Sequence, residues 1–588
     1  MAPRQAARTN QDIAKVLREV GEYLAMQQVP FKPRAYEKAA EAVEGLETEA
    51  AQRYAEGGIK ALREIPGVGA SIADHIEELL RTGRLAYHET LKKEMPVRLD
   101  ELSRVEGLGP KSVERLYREL GIRNLKDLEA AAKAGKIAAL PGFGKKSEEK
   151  ILKGVGFAKG SGHRFVLGHI MPKVREIEAM LGAVPGVERA IAAGSARRRK
   201  ETVGDIDILA ISSDPHAVMD AFVAMPGTMS VIAHGATKSS IKIRPGINVD
   251  LRVVPRESYG AALDYFTGSK DHNVAIRQIA AKKGLKLNEY GLFRMAAGGK
   301  EVRIAGDDER EIYAHLGMDW PEPELREDAG EVQAALAHAL PKLIGYGDLA
   351  GDLQVQTDWT DGTASIEAMA NAAASQGLRY IAITDHTKRL AMTHGLDETR
   401  IRKQWREIDA VNARLGGRMT VLKGTECDIL KDGSLDLPDD VLARLDVVGV
   451  SVHSFFGLSR KDQTARVIRA MENPHVDILF HPTCRIIDRR PPIDLDMDAV
   501  IMAAKRTGTV LEIDAYPDRT DLKDEYIRKC VDAGVPLSID SDAHAPAHFP
   551  YLEYGIAQAR RGWASKDDIV NAQPLEKMRA RLKKNRHS

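Results

Sequence analysis

Asp205 and Asp207 are separated by a single apolar residue in Asp-Ile-Asp-Ile-Leu-Ala-Ile, a run that alternates like a half-buried strand. Period-two geometry points both carboxylates to one face. Like charges this close repel unless a cation lies between them, and hard oxygen ligands suit Mg²⁺ or Mn²⁺. Asp250 lies in Ile-Asn-Val-Asp-Leu-Arg-Val-Val, a second strand-like run able to bring a third carboxylate to the same spot. Upstream, Gly194 and Ser195 form a turn whose N–H groups and hydroxyl suit phosphate oxygens, with Arg197 and Arg198 as charged donors. Three carboxylates, two metals and a phosphate cradle describe two-metal phosphoryl transfer. An Asp-x-Asp alone is more often a solvated strand face. The Gly-Ser-x-Arg-Arg turn before it and the strand Asp after it decide for chemistry.

A chain of 588 residues is too long for one core, so several domains must position these groups. Hydrophobic residues make up 43% and charged residues 29%, the balance of an ordinary soluble protein. No apolar run reaches membrane-spanning length and the start lacks a signal-peptide core. Cys427, Cys484 and Cys530 are far apart, which fits a reducing cytosol. The net charge of +1 hides an asymmetry: residues 1–300 sum to +11 and residues 301–588 to −10. A basic first half around a carboxylate cluster suggests a polyanionic partner, although an excess this mild is weak evidence alone.

The first 155 residues read as predominantly helical and repeat one signature. It occurs as Ile-Pro-Gly67-Val-Gly69, as Val-Glu-Gly107-Leu-Gly109 with Lys111 and Ser112 following, and as Leu-Pro-Gly142-Phe-Gly144. Each is a hydrophobic-x-Gly-hydrophobic-Gly turn that resembles the helix-hairpin-helix motif. Such turns let N–H groups at a helix N-terminus meet a DNA phosphate, positioning the protein without reading sequence. One copy would be a tight helix cap. Three copies are read as DNA grips.

Downstream come Tyr265-Phe266-Thr267-Gly268-Ser269, then Asn273 and Arg277. Together with Gly194-Ser195, Arg198, Gly204, Asp205, Asp207 and Asp250, this set resembles the polymerase core of family X DNA polymerases, over about residues 10–315. The resemblance implies that Asp205 and Asp207 bridge two metals, Mg²⁺ or Mn²⁺, while Asp250 completes the site of the metal that activates the primer 3′-OH. It implies that Ser195 and Arg198 hold the β- and γ-phosphates, with Gly204 in the nucleotide-binding set. Tyr265 and Phe266 would sit against the sugar and Gly268 would allow close backbone approach. Asn273 would read the minor-groove edge of the incoming base and Arg277 the template strand. Lys32 and Tyr36 match positions that bind a 5′-phosphate in a gap. Where lyase-active relatives place a Schiff-base lysine this chain has His75, which cannot form that base. Lyase chemistry is therefore not expected unless another lysine, such as Lys32 or Lys38, substitutes. The implied partners are gapped or nicked duplex DNA and dNTPs. The chain is expected to be a monomer without membrane attachment, in a bacterial cytoplasm and associated with the nucleoid. A template-independent enzyme acting on RNA ends is disfavoured by the three hairpins, Asn273 and Arg277.

Residues 317–331 are acidic, carry two prolines and read as a connecting arm. Beyond them, apolar strand-like runs at Tyr380 to Thr384, Leu445 to Val452, Val476 to Phe480, Thr509 to Ile513 and Leu537 to Asp540 alternate with helical patterns. That alternation predicts an α/β barrel-like domain. Asp385, His386, His394, Glu426, His453, His481, Asp542 and His544 fall near strand ends, where barrel active sites lie. The set resembles the polymerase and histidinol phosphatase (PHP) domain, which hydrolyses phosphoesters with a metal cluster, here Mn²⁺ or Zn²⁺. The family's opening Asp-x-His-x-His reads Asp352-Leu-Gln354-Val-Gln356, so neutral amides stand in place of two expected histidine ligands. Cys484 stands where glycine is common and Asp514 where the family often has asparagine. One metal should be lost or weakened, leaving 3′–5′ exonuclease activity weak or absent. A surviving Mn-dependent exonuclease or AP-processing nuclease, or a non-catalytic scaffold, are the alternatives.

The expected architecture is multidomain: a helical helix-hairpin-helix region, an α+β nucleotidyltransferase palm with thumb, then the α/β barrel-like PHP domain. Its expected boundaries are a small lyase-like domain at 1–88, fingers at 89–158, palm at 159–260, thumb at 261–318, linker at 319–345 and PHP domain at 346–588.

Overall fold

The computed structural model describes residues 8–583 apart from 45, 47, 104, 106, 107, 161–163, 245 and 296–299. The N-terminal region is helical, as its periodicity predicts. In the helix Asn10–Met26, the residues Ile13, Leu17, Val20 and Leu24 recur on one face and are buried. The helices Ala70–Thr82 and Pro110–Leu120 start directly after Gly69 and Gly109, with Pro110 at the first helical position. The helix Lys145–Gly160 likewise follows Gly144.

The palm is a five-stranded sheet in the order Val187–Ala192, Asp205–Ser212, Ile247–Val254, Lys238–Ile243, Thr228–His234. Alternation along the second strand sends Ile206, Ile208 and Ala210 into a core shared with the helices Leu167–Gly182 and Pro215–Val223. The opposite face carries Asp205, Asp207, Leu209 and Ile211. The helix Tyr259–Thr267 covers only Leu209 and Ile211, so the aspartates are left at the open end of the face.

The thumb adds the helices Lys270–Lys282 and Glu309–His315 and a three-stranded antiparallel sheet. The arm after it is tightly held. Arg326 is fully buried, its guanidinium donating to Asp264 at 3.0 Å and Glu309 at 2.7 Å, beneath the Trp320 and Tyr313 rings. Glu331 meets His272 at 2.6 Å, and Tyr313 donates to Asp264 at 2.8 Å. Residues 320–331 thus pack against the helices Tyr259–Thr267, Lys270–Lys282 and Glu309–His315 through a buried charge network that nothing in the sequence advertised. Removing one partner strands the others without solvent. Arg326→Ala is expected to destabilise the protein by about 3–5 kcal/mol, read from the shift in its chemical denaturation profile. A loss below about 1 kcal/mol, the range of an exposed pair, would mean that the network is solvated.

The C-terminal half is a barrel of seven parallel strands whose spatial order is their chain order, from Gly351–Val355 to Leu537–Asp540. A bridge between Val355 and Ala543 joins the first strand to the chain beyond the last. Leu353, Tyr380, Leu422, Phe480 and Val510 plug one end of the interior. Two strands absent from the sequence expectation are Gly351–Val355 and Thr420–Asp428, whose polar residues interrupt the apolar run. The barrel docks on the palm: Arg485 pairs with Glu201 at 2.7 Å, His169 with Asp518 at 3.0 Å, and Tyr554 donates to the Gly168 carbonyl at 3.3 Å.

Candidate active sites of the two halves

The strand Asp205–Ser212 runs parallel to Ile247–Val254 with Asp207 directly opposite Asp250. Asp205, two residues earlier, shares their face. Gly194 sits so close that a Cβ there would lie 2.3 Å from Asp207 Oδ2, and its φ of 59° is in the region glycine tolerates. The turn is therefore pressed against the carboxylates. Asp207 is pushed up to about 6, first by burial and then by repulsion from Asp205 and Asp250. Lys238 Nζ lies 3.4 Å from Asp250, so the cluster already draws in one cation. The donor set of three carboxylates fits Mg²⁺ or Mn²⁺. Protons compete for the same oxygens. The Mg²⁺ concentration that half-saturates the cluster in a binding titration is therefore expected to rise about tenfold per pH unit below 6 and to level off above 7. A Mg²⁺ requirement that is flat across this range would take Asp207 out of the metal site.

The two arginines of the turn part company. Arg197 is locked into a bidentate pair with Glu309 at 2.8 and 2.7 Å and donates to Thr267 Oγ1 at 2.6 Å, so it is not the free phosphate donor its neighbourhood suggests. Arg198 turns instead to the Gly268 bend, donating to the Thr267 carbonyl and to Glu327 at 3.0 Å. Ser195 follows Gly194 in the short helix Gly194–Arg197, and Gly204 precedes Asp205. Tyr265 and Phe266 pack edge to face at 5.1 Å. Gly268, at φ 69°, has Arg198 Nη1 3.2 Å from where its Cβ would be. Asn273 donates to the Tyr265 carbonyl at 2.7 Å, while its own Oδ1 is buried without a partner. Arg277 donates to the Asn273 carbonyl at 3.0 Å and lies over the Tyr265 ring. Tyr265, Asn273 and Arg277 line one small cleft, with Asp264 and Asn288.

In the hairpins, a Cβ at Gly69, Gly109 or Gly144 would meet nothing within 4 Å, so these helix starts are open to an approaching phosphate. Gly67 and Gly142 have φ of 76° and 80°, and Gly107 lies outside the described residues. Lys111, Ser112, Arg115, Gly142 and Phe143 line a cavity of about 430 Å³ between the second and third turns. In the small domain, the Tyr36 hydroxyl is 2.7 Å from His75 Nδ1, and the ring stacks between Tyr36 and Tyr87. Burial holds His75 below its ordinary range, leaving a neutral imidazole. Lys32 begins the helix Lys32–Glu44 on its exposed side.

In the barrel, Glu426 is the hub. Its Oε1 lies 2.8 Å from His481 and 3.1 Å from His453, and its Oε2 3.3 Å from His386 and 3.0 Å from the Gln356 amide. Two groups able to hold a cation result: Asp361, His386 and His544, and His386, Glu426 and His453. Burial works against the charge on Glu426, but His386 and His453 hold it well below the carboxylate range. Glu426 in turn raises His453 to about 9, against burial, and Asp361 with Asp542 raises His544 to about 10. A site that binds extra protons this strongly would hold a divalent cation in their place. Asp361 Oδ1, Asp428 Oδ2 and His481 Nδ1 are buried without partners, and the mixed carboxylate and imidazole set fits Mn²⁺ or Zn²⁺.

Several expected ligands stand apart. Asp385 spends its oxygens on Thr357, Thr360 and Gln404, whose amide approaches to 2.6 Å, so it braces the site rather than facing it. His394 is exposed in a loop and belongs to neither group. Asp542 is within 3.7 Å of Arg519, which also lies 3.5 Å from Asp514. Gln354 turns its amide to Glu512, and both glutamines are fully buried. Asp361 escaped sequence reading. Its only signal is an Asp-Gly turn shortly after Gln356.

Comparison with known proteins finds relatives of both halves. Family descriptions match in order: a helix-hairpin-helix domain at 8–85, a SAM-like helix-hairpin-helix tandem at 99–155, the DNA polymerase beta thumb at 262–327 and a PHP domain at 352–488. The DNA polymerase/3′-5′ exonuclease PolX of Bacillus subtilis is 38% identical over 98% of this chain and 99% of its own length. DNA polymerase lambda of Arabidopsis thaliana is 27% identical over 46% of this chain and 54% of its own. A probable phosphatase of Thermoanaerobacter is 27% identical over 35% of this chain and 83% of its own. With nearly its whole length aligned to such a relative, the chain belongs to the family X DNA polymerases that carry a C-terminal PHP domain.

Proposed function

We propose that this DNA-directed DNA polymerase is a repair enzyme that fills short gaps in a template-dependent manner, with Asp205, Asp207 and Asp250 as its catalytic carboxylates. The observation that carries the reading is the parallel register of Asp207 against Asp250, at the open end of a face they share with Asp205. When bound, two divalent cations supply the activation of the primer 3′-OH and the neutralisation of charge on the triphosphate. The chain's own residues do the rest. The carboxylates fix the geometry, while Ser195 and Arg198 hold phosphate oxygens beside Gly194 and Gly204. Tyr265 and Phe266 pack against the sugar where Gly268 leaves room, and Asn273 with Arg277 faces the base pair being formed. The hairpin turns at Gly67, Gly69, Gly109, Lys111, Gly142 and Gly144 hold duplex backbone. Lys32 and Tyr36 hold the 5′-phosphate, and the neutral His75 leaves lyase chemistry without an amine. Gapped duplex DNA and dNTPs are the substrates, and the protein works as a monomer at the bacterial nucleoid.

The barrel is proposed to retain part of its metal site with weak or no 3′–5′ exonuclease activity, because Gln354 and Gln356 offer amides in place of imidazoles. A second reading, an active Mn-dependent exonuclease or AP-processing nuclease, is favoured by the two groups gathered around His386. One assay separates them: a single gapped substrate scored for extension and for 3′ shortening, with Mg²⁺ and with Mn²⁺. Extension in both metals with negligible shortening is expected. Shortening in Mn²⁺ at a rate comparable to extension selects the second reading, and no extension in either metal refutes the first.

A further inference from the structure

A buried side chain from the barrel reaches the turn that carries Arg198. Arg561, at the end of the helix Leu552–Arg561, is almost wholly buried between the two halves. Its Nη1 donates to the main-chain carbonyl of Arg198 at 2.8 Å and to Glu327 Oε1 at 3.1 Å, while Nε and Nη2 grip Asp524 at 2.9 and 2.6 Å. Glu327 Oε1 is also the atom to which Arg198 Nε donates, at 3.0 Å. Lys200 is 3.7 Å from it. One carboxylate oxygen is therefore shared between two guanidinium groups, one from the palm and one from the barrel.

We infer that Arg561, contributed by the PHP domain, is a positioning residue for nucleotidyl transfer: it holds Arg198 in place for the incoming triphosphate. The inference rests on the reading of Arg198 as a triphosphate ligand. Two physical effects carry it. The bond to the Arg198 carbonyl fixes the backbone from which that side chain projects, so the guanidinium is preorganised rather than ordered on binding. The bond to Glu327 draws off negative charge that would otherwise be neutralised by Arg198 itself, and a guanidinium sequestered by a carboxylate is a poorer phosphate ligand. Burial opposes the charge on Glu327, yet Arg561, Arg198 and Lys200 together hold it below its usual range, so the competitor is ionised at neutral pH. The barrel is then part of the polymerase site, whatever nuclease activity its own metals retain.

Steady-state incorporation on gapped DNA by the full-length protein tests this. Arg561→Ala is expected to raise the KM for dNTP about tenfold while kcat stays within about threefold. Arg561→Lys keeps the charge but cannot span three partners, and should fall between. Glu327→Gln added to Arg561→Ala removes the competing charge and should return KM to within about threefold of wild type, a non-additivity that general loss of structure would not produce. Asp524→Asn, at the more exposed end of the same chain of bonds, loosens Arg561 without emptying its site and should raise KM about threefold even if Arg561→Ala does not fold. Wild-type KM in both Arg561→Ala and Asp524→Asn, or a fall in kcat alone that Glu327→Gln does not rescue, overturns the inference. Arg198→Ala is the separate control: if it leaves KM unchanged, the reading of Arg198 fails first.

Discussion

Asp207→Asn is expected to lower nucleotide incorporation on gapped DNA by about a thousandfold or more, with DNA binding unchanged. The substitution keeps the shape of the side chain, which matters because Gly194 is packed against it and a larger group would displace the turn. What it removes is the central charge of three. Asp207 lies between Asp205 along its own strand and Asp250 across the register, so its loss is expected to disturb both of the proposed metal positions. It also carries the clearest sign of electrostatic load, a carboxyl raised to about 6 by burial and by its two acidic neighbours. Relieving that repulsion should leave thermal stability equal or slightly higher. This opposite movement of stability and activity marks a functional residue rather than a structural one. Primer extension and a melting curve on the same preparation check it. Retention of more than about 1% of the wild-type rate would remove Asp207 from the centre of the reaction.

The arrangement proposed as the polymerase site was legible in sequence because its parts are local. Strand alternation fixes the relation of Asp205 to Asp207, and the glycines that let Gly194 approach the carboxylates or start a helix after Gly109 are visible as residue types. Only the pairing with Asp250 spans a long loop, and its own strand pattern pointed to it. Legibility failed where the decision is made by a distant partner. Arg197 and Arg198 are equivalent in sequence, and it is Glu309 that claims the first. Arg326 lies in an acidic stretch that reads as a solvated arm, yet Asp264 and Glu309 bury it. Asp385 and His386 are adjacent, but the neighbouring threonines take up the first and leave the second to the metal groups. The strand Thr420–Asp428 was hidden by its function, since the polar residues that bear ligands break the apolar run by which a buried parallel strand is recognised. Arg561 could not be read at all, because its partners come from three separate segments.

Gln354→His with Gln356→His is expected to add about one equivalent of Mn²⁺ or Zn²⁺ per chain and to raise 3′–5′ shortening by about 10–100-fold. Gln354 lies on the first barrel strand and Gln356 just past its end, and both are fully buried, so their positions are already formed and histidines of similar size need little rearrangement. The Gln356 amide now donates to Glu426 Oε2 at 3.0 Å, satisfying with an N–H a lone pair that a metal would otherwise take. Gln354 does the same for Glu512. An imidazole with a lone pair aimed inward reverses that polarity, turning a donor into a ligand. Asp542 must then leave Arg519, which lies 3.7 Å away, to complete the set. That competition limits the gain and predicts that the added metal binds more weakly than any taken up by the groups around His386. Metal analysis of the purified double variant against wild type settles the ligand claim apart from the nuclease assay. An unchanged metal content would mean that the two glutamines are not what separates this barrel from a fully loaded one. If metal were gained without faster shortening, the weak nuclease activity proposed for the barrel would have its cause elsewhere, with Asp514 and Cys484 the remaining departures in the site.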